Sequence, residues 1–417
     1  MIGSKKSKIL IVNQRQHLKG GAAKYALYVS QTLRENGFET VFFAGKHPDN
    51  TEEHAERYYP DVAFPETFGD HPIHRRAILA ARFPYNHYAA ECLRKMIKAE
   101  KPALVHYHNV FRQLSPAVLR VATQEGIPSV WSLHDYNIFC VQGFMYRKGS
   151  GVCEKCKGHK YYNAIRHLCY RNNFMESTLF ATSVGIGHFL GCADGIGQFT
   201  VPHKDMKNRL VAWGLDAARI TVIKNPYPLS PAPTDLRKED YCIYFSAYHE
   251  SKGIDCLLEA ARIANDVKIL LCGFGDGRER VKKRIQHYDI GDNVKIVDGV
   301  TWNDGLQKLV AKALCVVNPS IAWNISEYVN LDAYAMKTAL IASNIGGNSY
   351  VVDDGVTGRL FEPGNSQQLA SHLKWICANR NTAVEMGRNG RAYLEKNYTV
   401  QGFVKELLEL FRRGGLK

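Results

Sequence analysis

The sequence lacks any uninterrupted apolar run of 18 residues, which excludes an ordinary hydrophobic membrane-spanning helix. The richest stretch, Leu179 to Val201, is broken by His188, Asp194 and five glycines. The lysine-bearing N-terminus reaches only a short apolar run, too short for a signal peptide, so a cytoplasmic location is the expectation. Long internal repeats and low-complexity segments are missing too, which excludes solenoids and disordered tracts. Acid is in short supply. Residues 1–230 hold 30 Lys and Arg against 18 Asp and Glu, whereas residues 231–417 hold 24 against 22. The net charge of +14 therefore sits almost wholly in the first half, which calls for an anionic partner there. The 417 residues suffice for two or three domains with cores that need no disulfide staples. Eleven cysteines make an odd number, and Cys242, Cys256, Cys272, Cys315 and Cys377 lie singly in apolar runs, as reduced core cysteines do.

Short β-branched runs alternate with helical spacing. Lys8–Asn13 reads as a buried parallel strand, Ala22–Asn36 as a helix closed by Gly37, and Glu39–Ala44 as the next strand. Strands at Ala103–His106 and Ser129–Leu133 flank a helix near Pro116–Gly126, and His47–Asp70 reads as irregular. Strand Ile220–Ile223 is followed by the Pro-rich linker Leu229–Thr234, after which a second series begins. It contains strand Cys242–Ser246, helix Ile254–Ile263, strand Lys268–Cys272, the glycine turn Gly273–Gly277 and helix Arg278–His287. Strand Val294–Ile296, helix Asn303–Ala313, strand Leu314–Asn318, helix Glu327–Met336 and strand Ala339–Ala342 follow. Two βα series on either side of a linker predict two doubly wound, Rossmann-like α/β domains facing a central cleft, with ligand beyond the carboxyl ends of the strands.

The ordered motifs are Gly20-Gly21 after the first strand, His134-Asp135 after another, Ser251-Lys252-Gly253, Gly273-Phe-Gly-Asp-Gly277 and Asn318-Pro319-Ser320. Asp332-Ala-Tyr-Ala-Met, Gly346-Gly347, Asp354-Gly355-Val-Thr-Gly358 and Pro363-Gly364 complete them. In this order and spacing they resemble the family 4 glycosyltransferases, retaining enzymes of the GT-B fold, over nearly the whole chain. The resemblance implies an acceptor domain at 1–230, a nucleotide-sugar donor domain at 231–399, and a closing helix at 400–417 that crosses back to the first domain. It implies no catalytic metal. It places His134, Lys252, Asn324 and Glu327 at the reacting centre, and Gly21, Gly273, Gly275, Ser326, Tyr328 and Asp332 on the donor. His106, His108 and Asn109 fall on the acceptor side. The physics agrees for several of these. A lysine between a strand end and a helix start, such as Lys252, can meet a diphosphate. Gly21 lets backbone approach the donor. An imidazole such as His134 can donate to a sugar or phosphate oxygen at neutral pH.

The sequence departs from the family at two points. The arginine expected five residues before Lys252 is Ala247, so one of the two cations for the diphosphate is absent. Of two glutamates eight apart, the first is Asn324 and the second Asp332. Asn324 still hydrogen-bonds sugar hydroxyls but carries no charge, and Glu327 offers a carboxylate nearby. These changes motivate a rival reading, a degenerate protein that binds a nucleotide sugar or glycan without turnover.

Cys140, Cys153, Cys156 and Cys169 have the spacing C-x12-C-x2-C-x12-C, inside a segment of about 137–172 flanked by lysines and glycines. Four thiolates in this pattern suit a tetrahedral structural zinc, and lysines nearby favour the thiolate form. Some family 4 sequences carry a similar insertion. Free thiols, a disulfide pair or an iron–sulfur cluster remain open alternatives, and a zinc-containing nucleic-acid-binding protein is a distant one that leaves the second domain unexplained. The reading reached from the sequence is a transferase of polysaccharide biosynthesis, using UDP- or GDP-linked sugar and a glycan or lipid-linked glycan acceptor, with no nucleic-acid partner. The basic, aromatic stretch Arg75 to Lys95 is the candidate face for an anionic membrane surface, which would make the protein peripheral on the inner face.

Overall fold

The computed structural model describes residues 7–17, 20–50, 53–62, 71–147, 149–231, 237–323, 325 and 328–416. The chain divides into two compact units. One comprises Met1–Met145, Glu154–Asn225 and Gln401–Lys417; the other comprises Tyr146–Cys153 and Pro226–Val400.

The strands of the first unit are β1 (Lys8–Val12), β2 (Glu39–Phe43), β3 (Leu104–Tyr107) and β4 (Ser129–Ser132). A two-stranded antiparallel hairpin, β5 (Tyr146–Arg147) and β6 (Gly151–Val152), follows in the chain and groups with the second unit. Then come β7 (Gln198–Val201) and β8 (Ile220–Val222). The six strands of the first unit form one parallel sheet in the order β2-β1-β3-β4-β7-β8. Parallel strands are covered on both faces, and β1 shows it: Ile9, Leu10, Ile11 and Val12 are all fully buried. The helix Gly21–Glu35 covers the sheet through Tyr25, Ala26, Val29 and Leu33. The helix Val400–Arg413 buries Phe403, Leu407, Leu410 and Phe411. It packs Phe403 on Tyr25 and Phe411 on His106, with ring centroids 5.9 and 5.2 Å apart.

The second unit holds β9 (Cys242–Tyr244), β10 (Ile269–Leu271), β11 (Val294–Ile296), β12 (Cys315–Asn318), β13 (Ala339–Ser343) and β14 (Gly358–Phe361). They form a second parallel sheet in the order β11-β10-β9-β12-β13-β14. Successive side chains go to opposite faces. Cys242, Tyr244, Ile269, Val317 and Ile341 enter one core with Leu257, Leu258 and Leu373. Ile243, Val316, Leu340 and Ala342 enter another with Leu331 and Tyr334. Both sheets change winding direction next to their first strand, so each has a crevice at its carboxyl edge.

Several expectations need correction. The stretch His47–Asp70 is not wholly irregular, because Glu53–Glu56 is a helical turn; residues 63–70 lie outside the described ones. The helix assigned to Asn303–Ala313 starts only at Leu306, since Thr301 and Asp304 exchange backbone hydrogen bonds in a tight turn before it. Pro116–Gly126 is a 3-10 turn, Pro116–Val118, running into the short helix Leu119–Gln124.

Candidate active site

In the first unit the site residues collect where β1, β3 and β4 end. Asn13, after β1, accepts the Asn109 N–H on Oδ1 at 3.1 Å and donates to the Arg15 carbonyl at 2.6 Å. The Asn109 carbonyl accepts the Gln14 N–H at 2.8 Å, which ties the two strand ends together. His106, on β3, is wholly buried with Nε2 2.8 Å from Ser132 Oγ. His108 and His134, which follow β3 and β4, meet Nδ1 to Nε2 at 3.1 Å with their rings 9° from parallel. Tyr25 lies edge-on to His134 at 4.7 Å, and its hydroxyl hydrogen-bonds the Ser132 side chain. Burial alone drives the His134 pKa down to about 4, burial with the neighbouring His134 drives His106 down to about 3, and burial with both neighbouring imidazoles pushes His108 well below the ordinary value. All three are neutral at pH 7. Asp135 is pushed up by burial, and Arg112 and two hydrogen bonds from Asn137 oppose the rise. The structure thus joins His106, His108, Asn109 and His134 in one cluster. Sequence reasoning named these but missed Tyr25 and Ser132, which touch it from a helix and from β4.

Gly20 and Gly21 begin the neighbouring helix. Gly20 has φ of +86°, a conformation for glycine. Gly21 is exposed, and a Cβ there would meet nothing within 4 Å.

Beside this cluster His17 and His47 stack at 4.0 Å, and ligand-type atoms of His17, His47 and Asp49 lie within 4.8 Å of one another. Several of these atoms make local hydrogen bonds. The Arg15 guanidinium donates to His17 Nε2 at 3.1 Å, His17 Nδ1 faces Asn50 Oδ1 at 3.5 Å, and the Asp49 N–H donates to His47 Nδ1 at 3.2 Å. The trio is a hydrogen-bonded corner. The first unit also holds a cavity of about 280 Å³ walled by Phe139, His188, Phe199 and Trp213, lined by none of the site residues named from the sequence.

In the second unit the site lies beyond β9, β10 and β12. After β9 the chain makes a 3-10 turn, Glu250–Lys252, and Gly253 turns it into the helix Ile254–Ile263. Gly253 has φ of +69°, and a Cβ there would lie 1.7 Å from the Pro319 carbonyl oxygen. The Ser251 carbonyl accepts both the Ser320 hydroxyl and the Ile321 N–H at 3.0 Å. Lys252 is therefore held on a pinned loop, and burial lowers its pKa. Beyond β10, Gly273 and Gly277 are demanded by Tyr248: a Cβ would fall 2.3 Å from its ring or 1.8 Å from its carbonyl oxygen. Gly275 differs, with φ of +97° and open space around it. Of the three glycines, Gly275 alone leaves room for a ligand. Beyond β12, Asn318, Asn330, Asn348 and Ser343 form a buried amide network with contacts of 2.8 to 3.2 Å. It fixes the helix Tyr328–Ala335, which carries Asp332. Asp332 Oδ1 accepts the Tyr227 hydroxyl at 2.7 Å, a partner 105 residues away that local spacing could not reveal.

Ala247, in the place of the expected arginine, bridges to Phe274, and its carbonyl accepts the Tyr244 hydroxyl at 2.7 Å. Two residues on, His249 Nδ1 accepts the Ser251 N–H at 3.2 Å, which leaves the proton of the neutral ring on Nε2. Asn324, Ser326 and Glu327 lie outside the described residues; Tyr328 opens the helix bearing Asp332.

Cys140, Cys153, Cys156 and Cys169 are each half-buried, but among the described residues the metal-ligand atoms that come within 4.8 Å of one another are those of His17, His47 and Asp49, not the four thiols. Burial raises the pKa of the Tyr161 hydroxyl, and the nearby Cys156 and Cys140 add smaller rises.

The comparisons with known proteins fit this geometry. Residues 19–230 match the model of Glycosyltransferase Family 4, and residues 230–393 match that of Glycosyl transferases group 1. The chain belongs to glycosyltransferase family 4, and its two Rossmann-like domains are those of the GT-B fold. Among curated relatives, alpha-maltose-1-phosphate synthase of Mycobacterium tuberculosis is 26% identical over 226 residues, covering 48% of this chain and 58% of that protein. The poly(ribitol-phosphate) alpha-N-acetylglucosaminyltransferase of Staphylococcus aureus is 25% identical over 201 residues, 47% of this chain and 40% of that protein. The chain spans about half the length of the curated relatives it matches. Among solved structures, HepE of Anabaena in complex with UDP-glucose superposes with a TM-score of 0.66 at 17% identity, covering 97% of this chain and 99% of that one. TarM superposes with a TM-score of 0.69 at 13% identity, covering 99% and 100%. No helix among the described residues is long and apolar enough to cross a membrane.

Proposed function

We propose that the protein transfers a hexosyl unit from a nucleoside diphosphate sugar to a glycan or lipid-linked glycan, with retention of anomeric configuration. The observation that carries this reading is the Lys252 loop, pinned by Ser320, Ile321 and Gly253 at the carboxyl edge of a parallel sheet, next to the open turn at Gly275. A half-buried cation on a preorganised loop stabilises the charge that builds on a leaving diphosphate without reorganising. His249, with its proton on Nε2, is the donor that takes over from the arginine absent at Ala247. Asp332, oriented by Tyr227, receives the ribose hydroxyls. Asn324 and Glu327 are assigned to the sugar hydroxyls on the family resemblance.

The reaction is a front-face displacement. The acceptor hydroxyl oxygen bonds to the anomeric carbon as the bond from that carbon to the β-phosphate oxygen breaks. The hydroxyl proton passes to the leaving phosphate, so no protein base is required. His134, neutral at pH 7, donates to a sugar or phosphate oxygen. UDP is the favoured nucleotide, since HepE is solved with UDP-glucose. No metal enters this chemistry. A structural zinc at Cys140, Cys153, Cys156 and Cys169 is supported only by the softness of the thiols and their spacing in the sequence. The helix Ile73–Arg82 supports docking at an anionic lipid surface. It buries only Leu79 and leaves Ile73 77% and Ile78 48% exposed beside Arg75 and Arg76.

Thermal-shift screening against UDP-, GDP- and ADP-sugars tests the reading. A UDP-sugar at 100 times its Kd should add about 2.7 kcal/mol of stability. Lys252→Ala should abolish that shift, and an unchanged shift discards the donor site. Release of UDP only in the presence of acceptor separates transfer from the rival binding role.

A further inference from the structure

His108 and His134 meet through one hydrogen bond, and the direction of that bond decides where His134 carries its proton. The contact is 3.1 Å between His108 Nδ1 and His134 Nε2, with the rings nearly parallel. Two arrangements satisfy it. If His134 donates from Nε2, His108 accepts on Nδ1 and must hold its own proton on Nε2. His108 Nε2 is buried with no hydrogen-bond partner, so that arrangement strands an N–H in the protein interior. If His108 donates from Nδ1, the orphan on Nε2 is a bare lone pair. A stranded N–H is the costlier and rarer of the two. His106 follows the same logic: its buried Nδ1 has no partner, so its proton sits on Nε2 and goes to Ser132.

The second arrangement leaves His134 with its proton on Nδ1. That nitrogen makes no hydrogen bond among the described residues and is not among the buried orphans. His108 is itself held rigidly. Its N–H donates to the Val12 carbonyl at 2.9 Å, and its carbonyl accepts the Trp131 indole N–H at 2.6 Å. Its ring packs against His106 at 4.1 Å. We propose that His108 is a positioning residue that fixes the tautomer of His134, so that His134 presents an open Nδ1–H at the carboxyl edge of the first sheet. The role rests on the reading of His134 as a group that touches the donor substrate. The ligand chemistry it selects is an oxygen acceptor, a sugar hydroxyl or phosphate oxygen, in preference to a group that must donate.

Nitrogen-15 NMR of the full chain labelled at histidine reads the tautomer directly and needs no variant. The expected result is a His134 ring protonated at Nδ1 and bare at Nε2 at pH 7. Protonation at Nε2 overturns the proposal. Two variants give a functional readout. Asn in place of His108 keeps an amide N–H near the position of Nδ1, whereas Leu removes the donor. His108→Leu should lower kcat at least tenfold and leave the UDP-induced thermal shift unchanged, and His108→Asn should recover most of the rate. Equal loss in His108→Asn and His108→Leu refutes a tautomer-setting role. Full activity in His134→Ala overturns the reading of His134 beneath the proposal, and the NMR result still decides the tautomer by itself.

Discussion

His106 should make the first unit sensitive to mild acid. Its ring is fully buried between β3, Ser132 and Phe411, and its pKa falls to about 3, against an ordinary 6.5. Between those values the unfolded chain binds a proton that the fold does not. Stability is therefore complete above pH 6.5 and declines as pH falls toward 3. At pH 5 the loss from this one imidazole is about 2 kcal/mol relative to pH 8, and it grows by about 1.4 kcal/mol per further pH unit. The neighbouring His108 and His134, lowered by the same burial, push in the same direction. His106→Gln is the informative perturbation, because its amide can still donate to Ser132 Oγ but cannot titrate. The assay is amide hydrogen exchange on β3 and β4, run from pH 8 to pH 5 with the intrinsic rates corrected. Opening free energy in the wild type should fall about 2 kcal/mol further than in the variant. Parallel pH profiles for the two proteins would refute the reasoning, because they would mean that His106 is as easily protonated in the fold as in water.

The other predictions are simpler. Gly273→Ala places a Cβ 2.3 Å from the Tyr248 ring and should cost about 1–3 kcal/mol in calorimetric unfolding of the second unit. Gly21→Ala meets open space and should leave stability unchanged or slightly raised, so a fall in transfer there reports close approach of the donor. Tyr227→Phe removes the 2.7 Å donor to Asp332 and should weaken UDP binding by about 1 kcal/mol in titration calorimetry. The proposed zinc is tested with a strong chelator, which should lower the melting temperature and free four thiols to a colorimetric reagent; no change in either measure argues against the metal.

Much of the architecture was legible because parallel sheets demand continuous apolar strands. Helices Ile254–Ile263 and Arg278–His287 and strand Val294–Ile296 fall on the boundaries read from periodicity. The misses have local causes. The β7 strand is four residues long and emerges from a glycine-dotted stretch, and β14 begins on a glycine and carries Arg359 at a sheet edge. The helix Phe174–Phe189 went unread because Gly185 and Gly187 weaken its pattern. Gly187 is there for close packing, since a Cβ would lie 2.9 Å from Pro116. In the site, residues at strand ends were findable, because topology puts ligands there. Pairings that span the chain were not: Tyr227 with Asp332 and His108 with His134 leave no trace in spacing. The glycine turn misled in a different way, since two of its glycines serve Tyr248 and one is left for a ligand.

The final helix has a consequence for synthesis. Residues 401–417 belong to the first unit, yet they follow all of Pro226–Val400 in the chain. Phe411 is wholly buried against His106, and a Cβ on Gly414 would lie 2.6 Å from Val130. A ribosome-bound chain must therefore carry an N-terminal unit with an open hydrophobic seam until translation has passed the second unit. At about 5–20 residues per second that exposure lasts on the order of ten seconds or more. The nascent first unit is the form of this protein that a holdase chaperone should recognise, and the seam left for the last helix is where it should bind.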